Sequence, residues 1–370
     1  MTSSYVIGVV KAGAYGHGSV HVSRQLKATG VERLAVATID EAIHLRSHGI
    51  TGPIHVLGNT EAHVIDSCLQ YNLLPTVCSR DVVREIASSL EGTDEKRNVT
   101  HGTQKTPPFG AVNIKIDTGM SRNGCQPNEL RQIIQSCEDS NVPIDAIFTH
   151  FADSADDAEF TRQQLDVFLE TVEPFRNKNI SLHVANSGAI LNGIGTDLDF
   201  VRPGIVIYGL PPGDVADFKD RGFQPAASIK AVPSLVKRLP EGRKVGYGCT
   251  HTTRDEEWMA TFPLGYADGY SRLLSNKGFI VREKTGEKCP IVGRVSMDAV
   301  TVRLPCCPED AETYTMMTAD FDPDTSATGI ASKVGTISYE VVTRLSTRYP
   351  RVYIEGQTLS IVSGLAGDVY

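Results

Sequence analysis

Tyr5-Val6-Ile7-Gly8-Val9-Val10-Lys11 is an apolar run closed by a lysine, and Ala12-Gly13-Ala14-Tyr15-Gly16-His17-Gly18 follows it directly. The run reads as a buried β-strand, the glycine-rich stretch as the turn beyond it. The unit recurs downstream: apolar runs return at 34–38, 54–57, 73–77, 111–116, 146–150, 182–185 and 205–208. Between them, 40–48 and 158–172 space their apolar residues as amphipathic helices do. Strand–helix alternation through eight runs predicts an α/β fold, a (β/α)8 barrel of TIM type. A doubly wound sheet shares the alternation, but no G-x-G-x-x-G follows the first strand.

After Pro225 the texture changes. Residues 228–236, 259–263, 288–292 and 298–304 read as strands separated by turns, so a mostly β C-terminal domain over 226–370 follows a barrel over 1–225. Two polar stretches, 91–110 and 308–329, are longer than ordinary connections and read as surface insertions. With 370 residues, 41% hydrophobic and 22% charged, the chain can fill both cores as a globular protein. Net charge is −8 and no Lys/Arg-rich run stands out, which argues against nucleic acid or an anionic membrane as partner. No apolar stretch approaches the ~20 residues that span a bilayer, and no basic-then-apolar leader opens the chain. The eight cysteines are scattered without a C-x-x-C pair, as in a reduced cytoplasmic enzyme, and no set of metal ligands stands out.

The polar residues of interest cluster at strand ends, the active-site face of a barrel. Lys11 closes the first run. A lysine there either snorkels into solvent or is held in a buried site, where a lowered pKa frees the amine for imine formation. The fifth strand ends in Lys115-Ile116-Asp117-Thr118-Gly119-Met120-Ser121-Arg122. Two charges two residues apart share a strand face, and an arginine beyond them suits a carboxylate or phenolate oxygen. The sixth strand ends in Thr149-His150-Phe151, where the histidine is either structural or stacked on a flat ligand. The seventh ends in His183-Val184-Ala185-Asn186-Ser187, and Arg202-Pro203-Gly204-Ile205 opens the eighth. Loops after the last two barrel strands commonly hold phosphate, and Ser187 with the N–H groups near Gly204 could supply such a site.

Taken in order, the segment Val9–Gly18 resembles the pyridoxal-phosphate attachment segment of the alanine racemases, fold-type III enzymes. So do residues 115–122, 149–152, 183–187, 202–210, 245–248, 265–270, 293–298 and 335–340, which cover nearly the whole chain. The resemblance implies pyridoxal 5'-phosphate as cofactor and a two-base racemisation of L- and D-alanine. Lys11 would carry the cofactor as a Schiff base and serve as base for the D-substrate. Tyr247, from the partner subunit of a homodimer, would be the base for the L-substrate. Arg122 would contact the cofactor's phenolic oxygen and the substrate carboxylate, helped by the Met297 backbone N–H. Arg202 would bond the pyridine nitrogen. Tyr15, Ser187, Gly204 and Ile205 would hold the phosphate; His150 would pack by the ring, Asn186 would line the site and Tyr266 its entrance. Lys115 matches a position often carbamylated in this family, where it positions the neighbouring arginine.

Some positions differ from the family. Gly13 stands where asparagine is usual and Ser296 where cysteine is common, and family members usually carry about thirty more residues before the attachment segment. Thr347 stands where some relatives place a tyrosine lining the site, which suggests serine as a second substrate. Other fold-type III enzymes, such as the basic amino-acid decarboxylases, place an acid where Arg202 stands. A pyridoxal-phosphate-binding relative without racemase turnover, truncated or repurposed, is the alternative function.

Overall fold

The computed structural model describes residues 4–91, 107–215, 217–309, 311–356 and 358–362. Eight parallel strands close into a barrel: β1 (Tyr5–Val9), β2 (Arg33–Val36), β3 (Ile54–Asn59), β4 (Leu74–Val77), β5 (Val112–Lys115), β6 (Ile144–Phe148), β7 (Ser181–His183) and β8 (Phe200–Val201). The ring closes where Tyr5 pairs with Phe200 and Val6 with Val201. The barrel expected from the alternation is therefore present. Parallel strands under helices are covered on both faces, and β2, β4 and β5 are buried at every residue.

The covering helices are α1 (Ser19–Ala28), α2 (Ile39–Ser47), α3 (Ile65–Gln70), α4 (Arg80–Glu91), α5 (Leu130–Asp139), α6 (Ala158–Val172) and α7 (Ser187–Leu191). Helix α2 begins with a capping box: Thr38 Oγ1 accepts from Glu41 N, and the Glu41 carboxylate accepts from Thr38 N. Helix α6 spans the residues its periodicity predicts and is capped by Asp157, which accepts from Phe160 N at 2.9 Å. Ile86 of α4, Ile133 of α5 and Phe168 of α6 share one core with Ile114 and Ile147 of the barrel wall.

The eighth strand departs from the expectation. Ile205–Tyr208 is a single 3-10 turn, and the strand is the two-residue Phe200–Val201. Arg202 thus follows the strand rather than opening it. A buried turn is as apolar as a buried strand, so a four-residue run cannot separate them by period. Most of the 91–110 stretch lies outside the described residues.

The described residues divide into two units. One holds the residues up to Ala14, Ser19–Ile207 and 211–215; the other holds Tyr15–Gly18, Tyr208–Leu210 and the chain from Asp217 on. The second unit is built of antiparallel sheets. One has the order β10 (Leu235–Leu239), β13 (Glu257–Phe262), β16 (Val300–Leu304); another the order β15 (Glu287–Pro290), β14 (Phe279–Arg282), β17 (Tyr314–Met317), β9 (Ile229–Ala231). Two hairpin pairs, β11 (Lys244–Val245) with β12 (His251–Thr252) and β18 (Arg351–Glu355) with β19 (Thr358–Val362), complete it. The strand expected over 228–236 is two strands, parted at Val232-Pro233, where proline cannot donate to a ladder. The supposed insertion at 308–329 is corrected too. It contains β17, buried at every residue and flanked in its sheet by β14 and β9. Tyr314 of that strand meets Phe262 edge-on at 5.1 Å. Helices α8 (Ala327–Val334) and α9 (Ser338–Thr343) follow it.

Candidate active site

Lys11 follows the end of β1, where Val10 N bonds Ala35 O at 2.8 Å and Val9 N bonds Pro203 O at 3.1 Å. The chain then makes a left-handed turn: Ala12, Gly13, Ala14 and Tyr15 all have φ between 51° and 62°. Each L-residue in that region costs about 1–2 kcal/mol, so the neighbours must impose the turn. Glu41 is one of them. Its carboxylate accepts from Ala12 N and, at 2.8 Å, from Ala37 N, tying the turn to the start of α2.

Three other strand ends bring polar side chains. Lys115 ends β5 and is buried. Beyond it the chain folds back on the strand, with Cys125 N on Lys115 O and Asp117 N on Cys125 O, both 2.9 Å. Asp117 Oδ1 accepts from Gly119 N and Ser121 N at 3.0 Å, shaping the loop that carries Arg122. Burial and Arg122 bring Lys115 down to about 8. Burial, then Arg122 and Arg202, lower Lys11 as well, with Glu41 opposing. His150, after β6, is pushed well below its usual value by burial and by Arg202, Lys115, Arg122 and Lys11. The groups therefore sense one another across the strand ends, and the site carries more cation than carboxylate.

Arg202 is fully buried and held on two sides. Nη1 donates to His183 Nδ1 and, at 3.0 Å, to His183 O; Nη2 donates to Thr149 O at 2.7 Å and Val184 O at 2.9 Å. Of the five guanidinium N–H bonds, only Nε–H meets no acceptor among the described residues. Nearby, Ser187 Oγ accepts from Gly204 N at 2.8 Å, and the turn that includes Ile205 follows. Asn186 caps α7 and bonds the Ser154 hydroxyl.

The first unit thus brings together Lys11, Lys115, Arg122, His150, Asn186, Ser187, Arg202, Gly204 and Ile205. Tyr15, Tyr247, Tyr266 and Met297 belong to the second unit. There Tyr15 packs on Tyr208 at 5.0 Å and near Tyr339 at 6.0 Å. Tyr266 N and Ala267 N bond Ser296 O and Met297 O, so the Tyr266 and Met297 loops are joined. Tyr247 lies in the turn after β11, 71% exposed. Tyr270, by contrast, is buried in the irregular segment between two 3-10 turns and donates to Met316 O of β17 at 3.4 Å. Thr347 is exposed in the turn after α9.

Sequence reasoning assigned no role to Glu41, His183, Cys78 or Tyr339. Val77 pairs with Ile114, so Cys78 stands beside Lys115 on the neighbouring strand. Burial pushes its thiol up to about 11. A period-2 reading of β4 and β5 with their register could have paired those two residues; Glu41 is marked locally as the last residue of its capping box, which says nothing of its bond to the turn after Lys11.

Residues 1–212 match the family model for the alanine racemase N-terminal domain, and residues 226–353 match that for the alanine racemase C-terminal domain. The chain is 37% identical over 355 residues to alanine racemase of Desulforamulus reducens, covering 94% of this chain and 92% of that protein. It superposes on alanine racemase of Clostridium difficile 630 with a TM-score of 0.88 at 33% identity, covering 98% of this chain and 92% of that one. The alanine racemase of Bartonella henselae, solved with covalently bound pyridoxal phosphate, is similar with a TM-score of 0.80 at 28% identity, over 95% and 93% of the two chains. Among the described residues, no helix is long and apolar enough to cross a membrane.

Proposed function

Since the chain belongs to the alanine racemase family and racemises alanine, we propose that Lys11 and Tyr247 are its two bases, each serving one face of the substrate. The family is dependent on pyridoxal phosphate, and the residues present fit that group. Cations outnumber carboxylates around Lys11, as an anionic phosphate and phenolate require. One uncommitted guanidinium N–H suits a ring nitrogen, and an amine with a lowered pKa suits an aldehyde. When bound, the cofactor supplies a conjugated ring through which the substrate's α-proton becomes acidic.

The protein's part is binding, orientation and proton transfer. Lys11 would hold the cofactor at its aldehyde carbon in the resting enzyme; displaced there by the substrate's amine, its Nζ would be free to take or return the α-proton on the D side. Tyr247 of the partner subunit does the same on the L side with its hydroxyl oxygen; its exposure in one protomer supports a side chain that reaches another chain. Arg122 clamps the substrate carboxylate and the phenolic oxygen, assisted by Met297 N. Carbamylated on Nζ, Lys115 would present an anion to Arg122 and hold it in place. Ser187, Gly204, Ile205 and Tyr15 would hold the phosphate, His150 would pack by the ring, Asn186 would line the site and Tyr266 its entrance. Arg202 stays charged despite its burial, so it donates a hydrogen bond and surrenders no proton. Serine as a second substrate rests on Thr347 alone, and serine turnover too slow to measure beside alanine removes it.

The observation that carries the proposal is that Arg122 and Arg202 each act on both Lys11 and Lys115. The test is racemisation of L- and D-alanine followed by circular dichroism. Lys11→Ala should abolish cofactor capture and cut the rate by about a thousandfold or more. Tyr247→Phe should keep capture and lose the rate. A Tyr247→Phe enzyme with wild-type rates in both directions would refute the two-base assignment.

A further inference from the structure

Inside the barrel, below the strand ends, several buried side chains are polar where branched apolar ones usually fill the layers. Arg33 of β2 reaches Asp145 of β6 with bonds of 2.7 and 3.1 Å, and its Nη1 meets His55 Nε2 at 3.2 Å. Strands β2 and β6 are opposite walls, so these side chains point inward. His55 of β3 and His183 of β7 also come from opposite walls, with ring centroids 5.9 Å apart and planes nearly perpendicular.

Burial keeps both imidazoles neutral, His55 pushed down to about 3 and His183 well below its usual value. Each ring then has one N–H and one bare nitrogen. At His55 the bare nitrogen is Nε2, because it faces a guanidinium that can only donate. At His183 it is Nδ1, for the same reason toward Arg202. The protons therefore sit on His55 Nδ1 and His183 Nε2. Both atoms are buried, and neither meets an acceptor among the described residues. Asn113 of β5 donates its amide to Leu74 O at 3.2 Å, and its buried Oδ1 meets no donor. Asn113 stands close enough to His55 to favour that ring's proton, yet no aligned bond joins them.

Strands β3, β5 and β7 alternate around the barrel, and alternate strands fill one layer. That layer holds two unmatched donors and one unmatched acceptor. A metal ion would face two N–H groups, and chloride would face the Asn113 oxygen. Water has two lone pairs for the donors and an O–H for the acceptor.

We propose that one buried water sits in this layer, accepting from His55 Nδ1 and His183 Nε2 and donating to Asn113 Oδ1, and that it makes His55 and Asn113 positioning residues for Arg202. The water keeps the proton of His183 on Nε2, so Nδ1 remains an acceptor for Arg202. Without it, the tautomer with a proton on Nδ1 becomes accessible, and that proton would point at a donor. The water site stands on the barrel geometry; its effect on turnover rests on the role proposed above for Arg202.

The test uses the holoenzyme with 15N-labelled histidine and a crystal structure at near-atomic resolution. Density for one water among the three side chains, with His183 in the Nε2–H tautomer, is expected. Asn113→Leu should populate both His183 tautomers and shift the bound cofactor's absorbance. It should also lower kcat about tenfold with KM held, as loss of an orienting partner does elsewhere. Asn113→Asp, which keeps an acceptor, should restore the tautomer. Where Asn113→Leu does not fold, His55→Gln replaces it with the same readouts. A direct His55 Nδ1 to Asn113 Oδ1 bond without solvent density overturns the site, as does a His183 tautomer that the variants leave unchanged. A shifted tautomer with unchanged absorbance and kcat leaves the water in place and overturns the role of Arg202 instead.

Discussion

Buried imidazoles give the protein an acid-sensitive interior. His55 is pushed down to about 3 by burial, against an ordinary value of 6.5. The folded state therefore binds fewer protons than the unfolded state between those two values. Stability from this group is full above about pH 6.5 and is lost as pH falls toward 3, at about 1.4 kcal/mol per pH unit. Urea unfolding at pH 7 and pH 4.5 should show a steeper loss in wild type than in His55→Leu, whatever their difference at neutral pH. At this scale the sequence was legible where a residue ends a strand: Lys11, Lys115 and His150 could be picked from position, whereas Arg202 was read as opening a strand that it follows. His183 and Glu41 could not, because their use depends on partners 19 and 29 residues away in the chain. Only the closed barrel brings those together.

Among the elements, the repeated strands and α6 were readable because their periods are long enough to count. Strand β8 was not, being two residues long beside a more apolar turn. Strand β17 was hidden by its polar flanks, although its own residues, Tyr314-Thr315-Met316-Met317, suit a buried strand. The left-handed turn after Lys11 was invisible for another reason: alanine is the best helix former, and here Ala12 and Ala14 are wound the opposite way. Two glycines near it separate the effects. Gly16 has φ +81°, and a Cβ there would lie 1.9 Å from Val342 O, so Gly16→Ala should destabilise by several kcal/mol. Gly13 has φ +62° with nothing within 4 Å, so Gly13→Ala should cost only about 1 kcal/mol. Thermal midpoints of the two variants would rank them; equal losses would mean that backbone strain, not crowding, governs the segment.

For the whole molecule, the two matched family domains account for the order of the chain: a parallel barrel that gathers the cations, then antiparallel sheets that carry Tyr247, Tyr266 and Met297. If Tyr247 serves the partner's site, activity belongs to the dimer. Specific activity should then fall on dilution through the dissociation range, and mixing inactive Lys11→Ala with inactive Tyr247→Phe should regain up to about a quarter of the wild-type sites by forming hybrids. Activity per chain that holds constant in a monomer proven by light scattering would contradict this.

The left-handed turn also gives the protein an odd relation to handedness itself. Ala12 is an L-residue held where its mirror image would sit at ease, and its side chain is exposed. A semisynthetic chain with D-alanine at position 12 should therefore be more stable than the natural one, by about 1 kcal/mol. The same exchange at Ala14, whose methyl is buried, should be harmful. One half of the enzyme's substrate pair would then be a better building block for its own active-site turn than the form the ribosome supplies.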